Sequence, residues 1–220
     1  VMLEEEGSVA HEILKNTIFA QEKERKRIAQ DLHDEVGAML SVVKLNVSRI
    51  EKKSQEEKPK ELAGETKTYL DDVISQVRRI SRALLPPSLD RLGLFFALKE
   101  LANWVNKSEE LRIECTKSGE QFRFESENEL AIFRIVQELL NNAIKHSGAD
   151  LIKLNVRFSE NYLAVLLADN GKGFNMKEKM NTGLGLKNLE SRTQLLKAEF
   201  RMNSKPGKGT GAFIYMQKEK

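Results

Sequence analysis

The chain has 220 residues, 36 of them basic and 33 acidic, for a formal net charge of +3, with 40% apolar and 31% charged residues. This is the composition of a globular protein of one or two domains and excludes a chain that is disordered throughout. The even charge balance, with no aromatics interleaved among the basic clusters, argues against a nucleic-acid partner, and no apolar run approaches the ~20 residues that span a bilayer.

The sequence begins at Val1 inside helix-forming residues, as a piece of something larger would, and no secretory leader is evident. From Ile13 to Ile50 it is rich in Lys, Glu, Gln, Ala and Leu and lacks proline, which predicts one long helix. At 100° per residue, Ile28, Ala29, Leu32, Val36, Met39, Val43, Val47 and Ile50 share a stripe. The charged run "EKKSQEEKPKE" reads as a loop, and a second helix follows from Leu62 to Leu85 with Leu70, Val73, Ile74, Val77, Ile80 and Leu84 as its spine. A helical hairpin of this kind leaves its apolar faces poorly covered, so a homodimer forming a four-helix bundle is expected.

Two prolines and a glycine in "LLPPSLDRLGL" end the helical run. The boundary is placed there, giving domains 1–88 and 89–220. Beyond it the pattern predicts a helix near Phe95 to Asn106, a strand near Arg112 to Thr116 and a helix near Asn128 to His146. Strands near Ile152 to Phe158 and Tyr162 to Ala168 come next. A glycine-punctuated stretch from Asp169 to Gly185 then opens a helix running to Lys197, and strands near Glu199 to Asn203 and Gly211 to Gln217 close the chain. The fold class is therefore α plus α/β, a helical hairpin followed by an α/β sandwich. The lone Cys115, in the alternating segment "LRIECTK", reads as a buried structural thiol on a strand.

Three constellations could carry chemistry. In "DLHDEVGAML", His33 lies about 80° from the centre of the apolar stripe and so faces solvent. A histidine there is ordinarily just a surface residue. Gly37, one turn on, costs a helix about 1 kcal/mol relative to alanine, which points to something that must approach closely. Neutral imidazole is a nucleophile, and Asp34 beside it can take up or orient its proton. His11 and His146 have no comparable setting.

In "QELLNNAIKHSG", Glu138 and Asn142 stand one helical turn apart, a carboxylate and an amide oxygen able to share a hard cation with phosphate oxygens, and Lys145 can reach an anion on that side. In "DNGKGF", Asp169 precedes Gly171 and Gly173. "TGLGLKN" then places Gly183 and Gly185 at the start of a helix, where backbone N–H groups suit phosphate. "KPGKGTGAF" adds further glycines and Thr210, and on its own is no more than a hairpin.

In this order, a histidine box, an Asn box and two glycine boxes, the chain resembles the catalytic core of a two-component sensor histidine kinase. "ERKRIAQDLHDEVGAML" and "RALLPPSLDRLGL" are similar to the subfamily of nitrate/nitrite sensors and the bacterial membrane-fluidity thermosensor. The resemblance implies a dimerisation and histidine-phosphotransfer domain followed by an ATP-binding domain of the Bergerat type. It implies His33 as phosphoacceptor, with Asp34 assisting attack on the γ-phosphate of ATP. Asn142, with Glu138, would be the magnesium site and Lys145 a phosphate contact. Asp169 would read the adenine amino group, Gly171, Gly173, Gly183 and Gly185 would form the nucleotide loops, and Thr210 would lie near adenine.

The implied partner is the receiver domain of a response regulator. The expected location is the cytoplasm, with any membrane contact made through regions absent from this chain. Pro86 and Pro87 would form the hinge. Where many relatives carry glutamine or histidine four residues after the acid, this chain has Ala38, which predicts weak or absent phosphatase activity. A Bergerat ATPase or protein-serine kinase with a dimerising helical domain is the alternative enzyme, and a coiled-coil scaffold with a degenerate nucleotide domain the non-enzymatic one.

Overall fold

The proline-poor, Ala- and Lys-rich first third becomes helix, as its propensities require. The computed structural model describes residues 2–108, 111–176, 189, 192–194 and 196–218. It divides into two units, Val1–Pro87 and Ser88–Lys220.

In the first unit, α1 (Met2–Asp31) and α2 (Gly37–Lys53) are joined by a π-helical turn, Leu32–Val36, and α3 (Glu57–Leu84) runs back along them. The π turn corrects the expectation of one uninterrupted α-helix. The Gly37 N–H donates to the Leu32 carbonyl, five residues back instead of four. One extra residue per turn shifts the phase of everything after it. The 100° stripe drawn through Ala29 and Met39 is accordingly not one face: Ala29 is buried, whereas Met39 is 65% exposed.

The loop between the helices is also shorter than expected, only Ser54 to Glu56. Helix α3 absorbs Pro59 because proline in a first turn lacks only an N–H that has no helical partner there. Three links set the antiparallel register. The buried Ser81 Oγ donates to the Ala29 carbonyl at 3.0 Å, Lys44 pairs with Asp71, and Lys67 Nζ lies 3.0 Å from Glu51 Oε2. Within one chain the hairpin leaves Val43, Ile50, Leu62, Tyr69, Val73 and Ile80 exposed.

Leu85 is extended (φ −148°, ψ 108°), as a residue before proline prefers. In the second unit, α4 (Pro87–Leu92) and α5 (Leu94–Val105) meet at Gly93, whose φ of +87° favours glycine. A Cβ there would also stand 2.2 Å from Gln121 Nε2. A short 3₁₀ turn, Asn106–Ser108, leads to β1 (Arg112–Ser118), α6 (Ser126–His146), β2 (Leu151–Ser159), β3 (Tyr162–Asp169), β4 (Glu199–Ser204) and β5 (Thr210–Gln217).

The five strands form one sheet in the order β1-β2-β3-β5-β4, parallel only between β1 and β2. Alternate residues of β2, β3 and β5, among them Leu154, Val156, Val165 and Ile214, are buried in a core shared with Leu98, Ile132, Phe133, Ile135 and Leu140 of α5 and α6. This is the expected helical hairpin followed by a mixed α/β layer. Cys115 is half-buried on β1, and burial, partly offset by Lys99, pushes its thiol up to about 11, which keeps it protonated and unreactive at neutral pH. No helix among the described residues is long and apolar enough to cross a membrane.

One buried charge organises the start of this unit. Glu129, in the first turn of α6, is 1% exposed and accepts hydrogen bonds from Arg123 Nε and Nη2, both at 2.9 Å, and from the Phe124 N–H. The same guanidinium donates to the carbonyls of Leu89 and Asp90, so it ties α4 to α6. Replacing it by an apolar isostere strands a buried carboxylate. We expect Arg123→Met to destabilise the unit by about 3 kcal/mol, measured by urea unfolding followed through the fluorescence of Trp104, the only tryptophan.

Candidate active site

Strand register builds the second unit's cavity. Asp169, the last residue of β3, pairs with Ile152 on one side and with Thr210, the first residue of β5, on the other. The side chains of Asp169 and Thr210 therefore reach one cavity of about 390 Å³. From α6 come Leu139, Asn142, Ala143 and His146, and Leu167, Met202 and Ala212 supply an apolar wall, with Lys172, Gly173 and Phe174 from the following loop. An apolar slot with a few convergent polar groups suits a planar heterocycle.

Asp169 is nearly buried, and its Oδ1 accepts the Gly171 N–H at 2.9 Å. That bond orients the carboxylate and leaves Oδ2 for a donor in the cavity. Gly171 permits it because nothing larger fits: a Cβ would stand 2.5 Å from the Ser147 carbonyl and 2.6 Å from the Ser147 Cβ. Gly173 is close-packed too, with φ +60° and a would-be Cβ 2.1 Å from the Lys205 carbonyl.

The loop is tied down on both sides. The Lys172 N–H donates to the Ser147 carbonyl at 2.8 Å, the Gly207 N–H to the Lys172 carbonyl at 2.6 Å, and the Phe174 N–H to Ser204 Oγ at 2.9 Å. Ser204 Oγ in turn donates to the Gly209 carbonyl and lies 3.0 Å from Thr210 Oγ1. "KPGKG" is thus more than a hairpin; it is the floor on which the glycine loop rests.

Glu138 and Asn142 are half-buried neighbours on α6, with Asn142 Nδ2 3.4 Å from Glu138 Oε1. The amide directs its N–H at the carboxylate, so its own oxygen is free to face the cavity that Asn142 lines. One carboxylate and one amide oxygen form the sparse donor set magnesium accepts when phosphates complete its shell. No cluster of three or more His, Cys, Asp or Glu among the described residues competes for a metal. Asn142 lines the cavity and Glu138, one turn before it, does not, so the amide oxygen is the donor of this pair placed to share an ion with a phosphate there.

Lys145 is exposed and does not line this cavity, whereas His146, which the sequence left without a role, does. Gly183 and Gly185 lie outside the described residues. Ser147 and Ser204 were missed by sequence reasoning, although "HSG" directly after the Asn-bearing helix was the available signal for the first. His33 and Asp34 belong to the first unit. Both are exposed in the π turn, and with Leu32, Gly37, Ala38, Ser41, Val77 and Arg78 they line a cavity of about 290 Å³. A Cβ on Gly37 would meet only the Leu32 carbonyl, at 3.7 Å, so nothing among the described residues demands glycine there.

The chain thus combines a helical hairpin bearing an exposed histidine with a mixed-sheet unit whose Asp- and glycine-built cavity suits a nucleotide base. Residues 24–89 match the family described as histidine kinase, and residues 127–220 match the histidine kinase-, DNA gyrase B- and HSP90-like ATPases. The chain is 31% identical over 210 residues to the oxygen sensor histidine kinase NreB of Staphylococcus carnosus, covering 94% of this chain and 60% of that protein. It is also 31% identical over 201 residues to the signal transduction histidine-protein kinase/phosphatase DegS of Brevibacillus brevis, covering 90% and 52%.

The fold is shared with the histidine kinase domain of a blue-light activated histidine kinase from Erythrobacter litoralis, with a TM-score of 0.50, 18% identity, and coverage of 81% of this chain and 94% of that one. The chain belongs to the histidine kinase family. It spans little more than half the length of the two relatives named above.

The second domain is one for ATP use, and Asp169 presents its free oxygen to the cavity. Asp169→Asn exchanges a charged acceptor for a neutral one, and we expect ATP binding to weaken by about 1–3 kcal/mol, read by calorimetry.

Proposed function

We propose that this chain is the autokinase core of a sensor histidine kinase. It takes the γ-phosphoryl group of ATP onto His33 and passes it to an aspartate in the receiver domain of a response regulator. The observation that carries this reading is that His33 is exposed, in a break of helical geometry, beside a carboxylate and a cavity of its own, on a chain that also holds the nucleotide-type cavity around Asp169. Residues 1–88 would serve dimerisation and phosphotransfer, and 89–220 ATP binding, in the cytoplasm.

In this reading Asp169 accepts the adenine amino group while Thr210 and the apolar wall bracket the ring. Gly171 and Gly173 bring backbone close to the nucleotide, and Glu138 and Asn142 hold magnesium, which neutralises phosphate charge when bound. An imidazole nitrogen of His33 attacks the γ-phosphorus, the bond to the ADP oxygen breaks, and Asp34 orients the ring and receives its proton. The second transfer reverses the roles: the P–N bond breaks as the aspartate oxygen bonds phosphorus, and the ring regains a proton. Alanine at 38, which lines the His33 cavity, has no group to position a hydrolytic water. That favours a kinase with little phosphatase activity of its own.

Incubation with γ-labelled ATP tests the phosphoacceptor. The chain should acquire acid-labile, alkali-stable label that His33→Gln abolishes while ATP affinity is unchanged. Label persisting on the variant would remove His33 from the role.

The uncovered residues of the hairpin support dimerisation. Met39, Val43, Ile50, Tyr69 and Val73 are large, apolar and exposed in one chain, and a second hairpin laid on them completes a four-helix bundle. A dimer is expected by light scattering at micromolar concentration. Val43→Asp should dissociate it, since an unpaired carboxylate in a bundle core costs several kcal/mol.

A further inference from the structure

The cavity at His33 has one wall that the proposed chemistry does not use, Arg78 of α3. Ser81 fixes its level. The Ser81 hydroxyl is bonded to the Ala29 carbonyl, Arg78 lies one turn before Ser81, and His33 one turn after Ala29 on the antiparallel strand of the hairpin. Both are thus displaced from the same buried link in the same direction, by about 4.5 Å and about 6 Å of helical rise.

Arg78 is exposed and has no ion-pair or hydrogen-bond partner among the described residues, in contrast to its neighbours Arg79 and Arg82, which do interact. The other ionisable groups on this cavity are His33 and Asp34 themselves. An unpaired guanidinium in a cavity with a nucleophilic imidazole is a ready receptor for a dianionic group on that imidazole.

We propose that Arg78 binds the phosphoryl group as it arrives at and departs from His33, an assignment that rests on His33 being the phosphoacceptor. The transferring group carries its charge on three equatorial oxygens in both steps, and there is little covalent chemistry for the protein to supply. A planar guanidinium can donate to two of those oxygens at once in a fixed fork, whereas an ammonium supplies the charge without that geometry. No additional reactant is needed. In the first step the P–N bond forms as the P–O bond to ADP breaks; in the second the P–N bond breaks as the receiver aspartate bonds phosphorus. Arg78 neutralises charge in each.

Single-turnover phosphorylation of the whole chain by γ-labelled ATP tests the assignment with Arg78→Met and Arg78→Lys. At saturating ATP the Met variant should be slowed roughly 10²-fold, with ATP affinity and the thermal unfolding midpoint unchanged. The Lys variant should recover much of the loss. The ³¹P resonance of the phosphorylated histidine should also move in Arg78→Met relative to wild type, a response that a purely structural role would not produce. Wild-type rates and an unmoved resonance in Arg78→Met, with label on His33, would overturn the role of Arg78 and leave His33 standing. Equal losses in the Met and Lys variants together with an unmoved resonance would assign Arg78 to packing instead. Absence of label on His33 in the wild-type chain would overturn the phosphoacceptor reading itself.

Discussion

The nucleotide-type cavity depends on one hydrogen bond, from the Gly171 N–H to Asp169 Oδ1. A carboxylate at the end of a strand is free to rotate, and a rotating acceptor discriminates poorly. Here one oxygen is held by backbone and the other is aimed. The bond requires the chain to turn back within two residues, and the turn is possible only because residue 171 has no side chain to collide with Ser147. Ser147 is held in turn, its hydroxyl donating to the Ala143 carbonyl at 2.6 Å and accepting the Ala149 N–H. The end of α6 and the end of β3 are therefore one construction, so that Asn142 and Asp169 line the same cavity without touching.

The helical unit depends on a different kind of constraint. A π turn widens the helix and loosens its hydrogen bonding, which is tolerated where the geometry is needed for function. All of His33, Asp34 and Glu35 are exposed in it. Around this turn the hairpin is clamped by a buried hydroxyl-to-carbonyl bond on one side and by the Lys44 to Asp71 and Lys67 to Glu51 pairs on the other. The Lys44 to Asp71 pair is exposed and the Lys67 to Glu51 pair only half-buried, so each contributes little. The Ser81 bond satisfies a buried carbonyl and so sets the register with the larger energetic penalty for slipping.

The two units divide the chemistry by physical type. One offers convergent acceptors, close backbone and an apolar slot, which bind. The other offers an imidazole, a carboxylate and a guanidinium around an open cavity, the set from which the proposed phosphotransfer is built. The phosphoacceptor role proposed for His33 calls for an accessible group, and His33 is exposed.

Much of this was legible in the sequence because it is local. Alternating burial in "IKLNVRF" and "LAVLLAD", the helix-forming run before Lys53, the stop at Pro86 and Pro87, and the carboxylate-glycine pattern of "DNGKGF" each follow from side-chain period or backbone freedom within a few residues. What tertiary structure alone decided is what depends on distant partners or on a one-residue change of phase. The π turn leaves no mark in a hydrophobic repeat sampled at 100°, because its only chemical trace is Gly37. The near-loss of the charged loop follows from α3 pairing with α2 through Glu51 and Lys67. The support of Gly171 by Ser147, of Gly173 by the turn at Lys205, and the placement of His146 in the cavity and Lys145 outside it arise from strand register and the angular position of each residue at the end of α6. Sequence determined which residues could do chemistry here, since that is a matter of functional groups; packing decided which of them meet, since that is a matter of distance.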